Sequence, residues 1–131
     1  MKLARSNAII SILTDADLTG QEGRFVRMSN NDTVCLVDCA LEKPLGLLLN
    51  GGVAYERITV AISAGGLAGT VRVKLAGTAY IGSDLQLTAD GRVMAHDNSA
   101  PRMIVGVALE AGVTGELIEA ALCPPTKVPA A

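Results

Sequence analysis

The sequence is cut into short alternating segments by turn-forming residues, and this rhythm restricts the chain more than any other feature does. In Arg57–Ser63, residues Ile58, Val60 and Ile62 fall on one face. In Thr70–Leu75, Val71, Val73 and Leu75 point one way while Arg72 and Lys74 point the other. A period of two marks half-buried antiparallel strands. Asp84–Thr88 and Arg92–Ala95 flank Ala89-Asp90-Gly91, where Asp-Gly favours a primed hairpin turn. Further strands are expected at Ala8–Leu13, Arg24–Met28, Thr33–Val37, Leu45–Leu49, Met103–Leu109 and Glu116–Leu122. Turn signals separate them: Asn30-Asn31-Asp32, Asn50-Gly51-Gly52, Gly65-Gly66, Ala76-Gly77, Asn98-Ser99 and Ala111-Gly112. Many short strands so punctuated predict an all-β fold, a compact antiparallel barrel or sandwich. Val34–Glu42 reads as either strand or helix.

The chain also matches itself. Gly46, Leu49, Gly52, Val53, Glu56, Ile58 and Ala61 recur in order as Gly106, Leu109, Gly112, Val113, Glu116, Ile118 and Ala121. Upstream, after a one-residue shift, Gly23, Val34 and Asp38 match Gly82, Val93 and Asp97. The expected organisation is an N-terminal segment with a first strand (1–22), a β-domain (23–122) and a Pro-rich arm (123–131). Within the domain, 23–62 and 82–122 read as two related halves. Two units are too few for a solenoid and should close on each other around one core.

A chain of 131 residues can bury one core without staples. Half of its residues are apolar but only 2% are aromatic, so Val, Ile, Leu and Ala must fill the core, with Phe25, Tyr55 and Tyr80 the only rings. Few rings and a net charge of −2 argue against nucleic acid, which needs stacking platforms and cations. The apolar excess fits an aliphatic core or surface hidden in an oligomer. Cys35, Cys39 and Cys123 form no Cys-x-x-Cys pair and suit reduced core thiols. The apolar run after Met1 ends at Thr14 and Asp15, too short to span a bilayer, so no membrane partner is expected.

No constellation carries chemistry. His96 is the only histidine and reads as an exposed loop residue, so triads and metal clusters lack support. Asp15, Asp17 and Glu22 lack the spacing of a calcium loop. Asp38 and Asp97 suit turn capping, and Gly65–Thr70 is a glycine-rich loop without the lysine of a phosphate cradle. No enzyme activity, cofactor or metal is expected. The three prolines in Cys123–Ala131 keep that tail out of a sheet interior, leaving it an extended arm. The arms at both ends either hang free or lie across a neighbouring subunit, which makes Lys2, Arg5, Pro124, Pro125 and Lys127 candidate assembly contacts.

The run Gly82-Ser83-Asp84-Leu85, then Thr88–Val93, Ile104–Gly112 and Gly115-Glu116-Leu117-Ile118, resembles the capsid cement or head decoration proteins of tailed bacteriophages. The resemblance covers roughly Gly46 to Leu122. It implies an accessory virion protein that binds the major capsid protein lattice from outside, often as a trimer, and stabilises the head. It also implies synthesis in the host cytoplasm. A tail or fibre β-module is the alternative, and a ligand-binding β-barrel a more distant one.

Overall fold

The computed structural model describes residues 9–30, 32–62, 70–97 and 100–129. The fold is all-β. Among the described residues ten strands run in chain order: β1 Ile9–Thr14, β2 Phe25–Met28, β3 Thr33–Leu36, β4 Gly46–Asn50, β5 Arg57–Ile62, β6 Val71–Lys74, β7 Asp84–Leu87, β8 Val93–Ala95, β9 Arg102–Ala108 and β10 Leu117–Val128. Each expected strand is present, and the ambiguous Val34–Glu42 stretch divides between the end of β3 and a loop.

The first five strands close a barrel in the order β1-β3-β2-β4-β5, sealed by five antiparallel register pairs between β1 and β5, from Ile9↔Ala61 to Leu13↔Arg57. The last five form a sheet in the order β6-β10-β9-β7-β8. The two units follow one circuit. A hairpin (β2–β3, β7–β8) leads to a strand on its first arm (β4, β9), and the last strand (β5, β10) pairs with that strand and with the opening one (β1, β6). In the first unit β1 also runs parallel to β3, at Leu13↔Thr33 and Thr14↔Val34. The second unit keeps one such link, the parallel bridge Leu75↔Val93, and therefore stays open.

Backbone hydrogen bonds repeat residue for residue. Thr14 N–H donates to Glu56 O (3.1 Å) as Leu75 N–H does to Glu116 O (2.9 Å). Leu18 N–H to Gly52 O (2.8 Å) returns as Ala79 N–H to Gly112 O (3.0 Å), and Leu48 N–H to Arg24 O (2.9 Å) as Ala108 N–H to Ser83 O (2.9 Å). Glu56 Oε1 accepts from Val53 N–H at 3.0 Å, and Glu116 Oε1 from Val113 N–H at 2.8 Å.

Side chains fill the two units differently. Leu18, Val26, Val34, Leu48, Ile58 and Val60 pack inside the barrel. Their counterparts Ala79, Leu85, Val93, Ala108, Ile118 and Ala120 line the second unit, but in a larger core that also takes in Phe25, Val37, Leu47 and Ala61 from the barrel's outer face. Because neighbouring strand residues point to opposite faces, Phe25-Val26 and Leu47-Leu48 each give one side chain to either core. Among the described residues, two backbone bonds join the units: Phe25 N–H to Gly91 O (2.8 Å) and Lys74 N–H to Gly23 O (2.9 Å).

Two local expectations need correction. The β7–β8 hairpin forms around Ala89-Asp90-Gly91 as expected, but its turn is a three-residue loop and not of the primed type. Thr88 and Arg92 close it (N–H to O, 2.8 Å), Gly91 N–H returns to Thr88 O (3.2 Å), and Gly91 alone has a positive φ, 84°. Asp90 stabilises this form, its Oδ1 accepting from Thr88 Oγ1 (2.7 Å) and from Arg92 N–H (3.2 Å), its Oδ2 from Arg92 Nε (2.8 Å). The C-terminal arm does not begin at residue 123. β10 runs on to Val128 and pairs Thr126, Lys127 and Val128 with Ile104, Met103 and Arg102, after a register shift between Leu122 and Thr126. Pro124 and Pro125 lie inside that bulge, past the last residue paired with β6, where the missing donors break no ladder bond.

Candidate functional site

The candidate assembly contacts lie at the two ends of the chain. Lys2 and Arg5 lie outside the described residues, as do Gly65–Gly69 and the Asn98-Ser99 turn. Pro124 and Lys127 are exposed on β10, and Pro125 is half-buried. Thr126 Oγ1 donates to Pro124 O at 3.0 Å and braces the bulge.

His96 is half-buried, not exposed. Its N–H extends the ladder by donating to Asp84 O (2.8 Å), and its Nδ1 lies 3.0 Å from Oε1 of the buried Gln86. The imidazole thereby gives the buried Gln86 amide oxygen a hydrogen-bond partner. Arg27 occupies the counterpart of Gln86 and faces outward. Its Nη2 is 3.6 Å from Asp38 Oδ2 and its Nε 3.0 Å from Glu42 Oε1. The latter two atoms are shielded from solvent but poorly aligned for a hydrogen bond, so this contact is an ion pair. Arg27 and Glu42, with Met28, Lys43, Pro44 and Leu45, line an open groove.

The thiols are less buried than core fillers should be. Cys35 and Cys123 are half-buried and Cys39 exposed, because β3 ends at Leu36 and takes Cys39 off the strand face. Burial pushes the Cys35 and Cys123 thiols up, away from thiolate. Asp17 caps its own turn, with Oδ1 accepting from Thr19 N–H at 3.0 Å; the Thr19 side chain and then this amide lower its carboxyl from the usual value.

Apolar surface gathers on the loops at one end of the second unit, which sequence reasoning missed. Tyr80 is 64% exposed and Ile81 76% on the β6–β7 turn, with Leu109 and Val113 exposed on the β9–β10 loop. The bonds Ala79 N–H to Gly112 O (3.0 Å) and Gly82 N–H to Ala108 O (2.8 Å) hold the two loops together. Asp84, Glu110 and Glu116 are exposed around them, and residues 75–84 and 109–116 contain no lysine or arginine. The counterparts of Tyr80 and Ile81 in the first unit are Gln21 and Glu22, on a turn of the same form: Arg24 N–H to Gln21 O (3.2 Å), Ser83 N–H to Tyr80 O (3.0 Å). An apolar pair on a turn that elsewhere carries a polar pair is the signal that could have found this surface.

No protein-family model and no curated protein matches the sequence. Among solved structures, the chain is similar to the N base of the head fibre gp8.5 of bacteriophage phi29. The TM-score is 0.66 at 14% identity, over 90% of this chain and 95% of that one. At that identity the likeness is one of fold.

Proposed function

We propose that the chain is an accessory structural protein of a phage virion that sits on the head exterior, binds the major capsid protein and stabilises the lattice. The observation that carries this reading is the likeness, over nine-tenths of the chain, to the base of a phage head fibre. The resemblance of Gly82–Ile118 to capsid cement proteins implies the same setting. A rigid β scaffold with exposed apolar loops suits a protein that docks on a preformed lattice, where many weak contacts add up through avidity. The barrel interior is filled by Leu18, Val26, Leu48 and Ile58, which supports a structural role over a ligand-binding one.

Purified chain added to phage heads lacking it should co-sediment with them and raise their melting temperature. Heads that neither bind the chain nor gain stability would overturn the proposal. A second reading is favoured by the neighbour being part of a fibre: the chain then anchors a projecting appendage. Gold-labelled chain would mark isolated projections in that case, and the whole lattice evenly in the first.

A further inference from the structure

The contact between the two units runs one way. The first unit presents the outer face of β2, β4 and β5, with Phe25, Leu47 and Ala61 in the joint core and Leu49 packed against it. Beside that face, the Gly23 turn sits against the second unit: Gly23 O accepts from Lys74 N–H (2.9 Å), and a Cβ at Gly23 would stand 2.6 Å from Leu117 Cδ2. The second unit has the same face, built from Asp84, Val107, Ala121 and Leu109, but among the described residues nothing covers its turn. A Cβ at Gly82, the counterpart of Gly23, meets no atom within 4 Å. A two-fold arrangement would have used both faces, whereas this head-to-tail one leaves the second face spare.

We propose that the open end of the second unit docks on the first unit of a second copy of this chain, its Gly82 turn meeting β1 and β5 where, within one chain, the Gly23 turn meets β6 and β10. Inside the chain the receiving surface includes Arg72, Lys74 and Leu117. Their counterparts in the first unit, by the shared β1–β5 and β6–β10 registers, are Ser11, Leu13 and Arg57. Ser11 and Arg57 are exposed, and Ile9 on the same strand is 47% exposed. The charges also match. The incoming end carries Asp84, Glu110 and Glu116 without a cation on its loops, and the receiving strand offers Arg57, whose Nη1 reaches only the Ser11 carbonyl (3.3 Å) among the described residues. Asp32 stands where Gly91 stands in the second unit, so the Phe25–Gly91 bond has no copy; the apolar turn and Arg57 carry the docking. Such a heterologous contact closes into a ring or grows as a filament, according to its rotation.

Sedimentation analysis of the full chain tests this. The chain should self-associate, and Ile81→Glu or Arg57→Glu should each weaken association at least about tenfold without lowering the melting temperature, since both side chains are exposed. Leu109→Glu serves as a second variant of the incoming face. Each damaged chain keeps one intact face, so mixing Ile81→Glu with Arg57→Glu should give a 1:1 heterodimer that grows no further. A monomeric wild-type chain would overturn the proposal, as would self-association indifferent to Ile81→Glu and Leu109→Glu, or a mixture that forms no heterodimer. The inference is independent of the phage reading. A chain that self-associates but ignores phage heads would fail only the proposed function, and a monomer that binds heads only this one.

Discussion

The two units follow the same strand circuit with the same turn hydrogen bonds, yet one closes around a private core and the other stays open and shares its core. The difference lies in which face of equivalent strands is apolar. Val26, Leu48 and Ile58 point inward as Leu85, Ala108 and Ile118 do, so both interiors are filled. On the outer face, Phe25 and Leu47 are fully buried where Asp84 and Val107 are exposed and half-buried. One backbone thus supports two roles, with the hydrophobic effect covering the outer face at Phe25 and Leu47 of the first unit and leaving it open at Asp84 and Val107 of the second.

Truncating the outer face on both units is the strongest way to break this comparison. Phe25→Ala should cost about 3–5 kcal/mol, the usual loss for a buried phenylalanine, while Asp84→Ala at the same circuit position should stay within about 0.5 kcal/mol. Urea unfolding measures both. Comparable losses would mean that the faces are not used unequally.

Gly23 and Gly82 offer a finer test at equivalent turns, with φ of 91° and 85°. Alanine at Gly82 pays only for its backbone conformation, about 1 kcal/mol. At Gly23 it must also displace Leu117 Cδ2 and crowd the Lys74 amide, so the cost should reach about 2–3 kcal/mol. The gap between the two thermal shifts reports how tightly the units are joined.

Most of the strand framework could be read from alternation and turn residues, because a period of two is all that a half-buried strand requires. The matched positions were legible too, and some have a steric cause. A Cβ at Gly46 would run into Ala61 O, and one at Gly106 would come within 2.6 Å of Ala121 O. Barrel and sandwich stayed open alternatives, since closure depends on β1 reaching both β5 and β3, a long-range pairing that no local pattern encodes. The apolar outer face of the first unit showed as the consecutive pairs Phe25-Val26 and Leu47-Leu48, buried on both sides. Tyr80 and Ile81 escaped notice because an apolar residue is first assigned to the core.

The hairpin turns differ in charge chemistry as well. Burial alone would raise the Asp90 carboxyl, but hydrogen bonds from the Arg92 side chain, Thr88 and the Arg92 amide, with the Arg92 charge, outweigh it and hold the group at about 2. A depressed folded value contributes stability above the unfolded value of 3.8 that disappears as pH falls toward 2. Because the carboxylate is 44% exposed, solvent screening reduces this to about 1 kcal/mol. Wild-type protein should therefore lose about that much relative to Asp90→Asn between pH 4 and pH 2. Parallel acid-unfolding curves for the two proteins would show instead that the loop is held without the charge.

The smallest effect concerns Tyr55, which has a φ of 65° where the second unit has Gly115 at 90°. Both residues close the same loop, Tyr55 N–H donating to Thr14 O (2.6 Å) and Gly115 N–H to Leu75 O (2.9 Å), so the left-handed backbone belongs to the circuit and not to the side chain. A non-glycine residue there costs about 1 kcal/mol, and Tyr55, 73% exposed, recovers little of it by packing. Tyr55→Gly should then stabilise the fold by no more than about 0.5 kcal/mol, once the greater freedom of glycine in the unfolded chain is counted. Gly115→Ala should move it the opposite way. Thermal melts of the pair decide the point: a clear loss from Tyr55→Gly would show that the exposed ring makes contacts within the fold, and that the two loops differ in more than one residue's conformation.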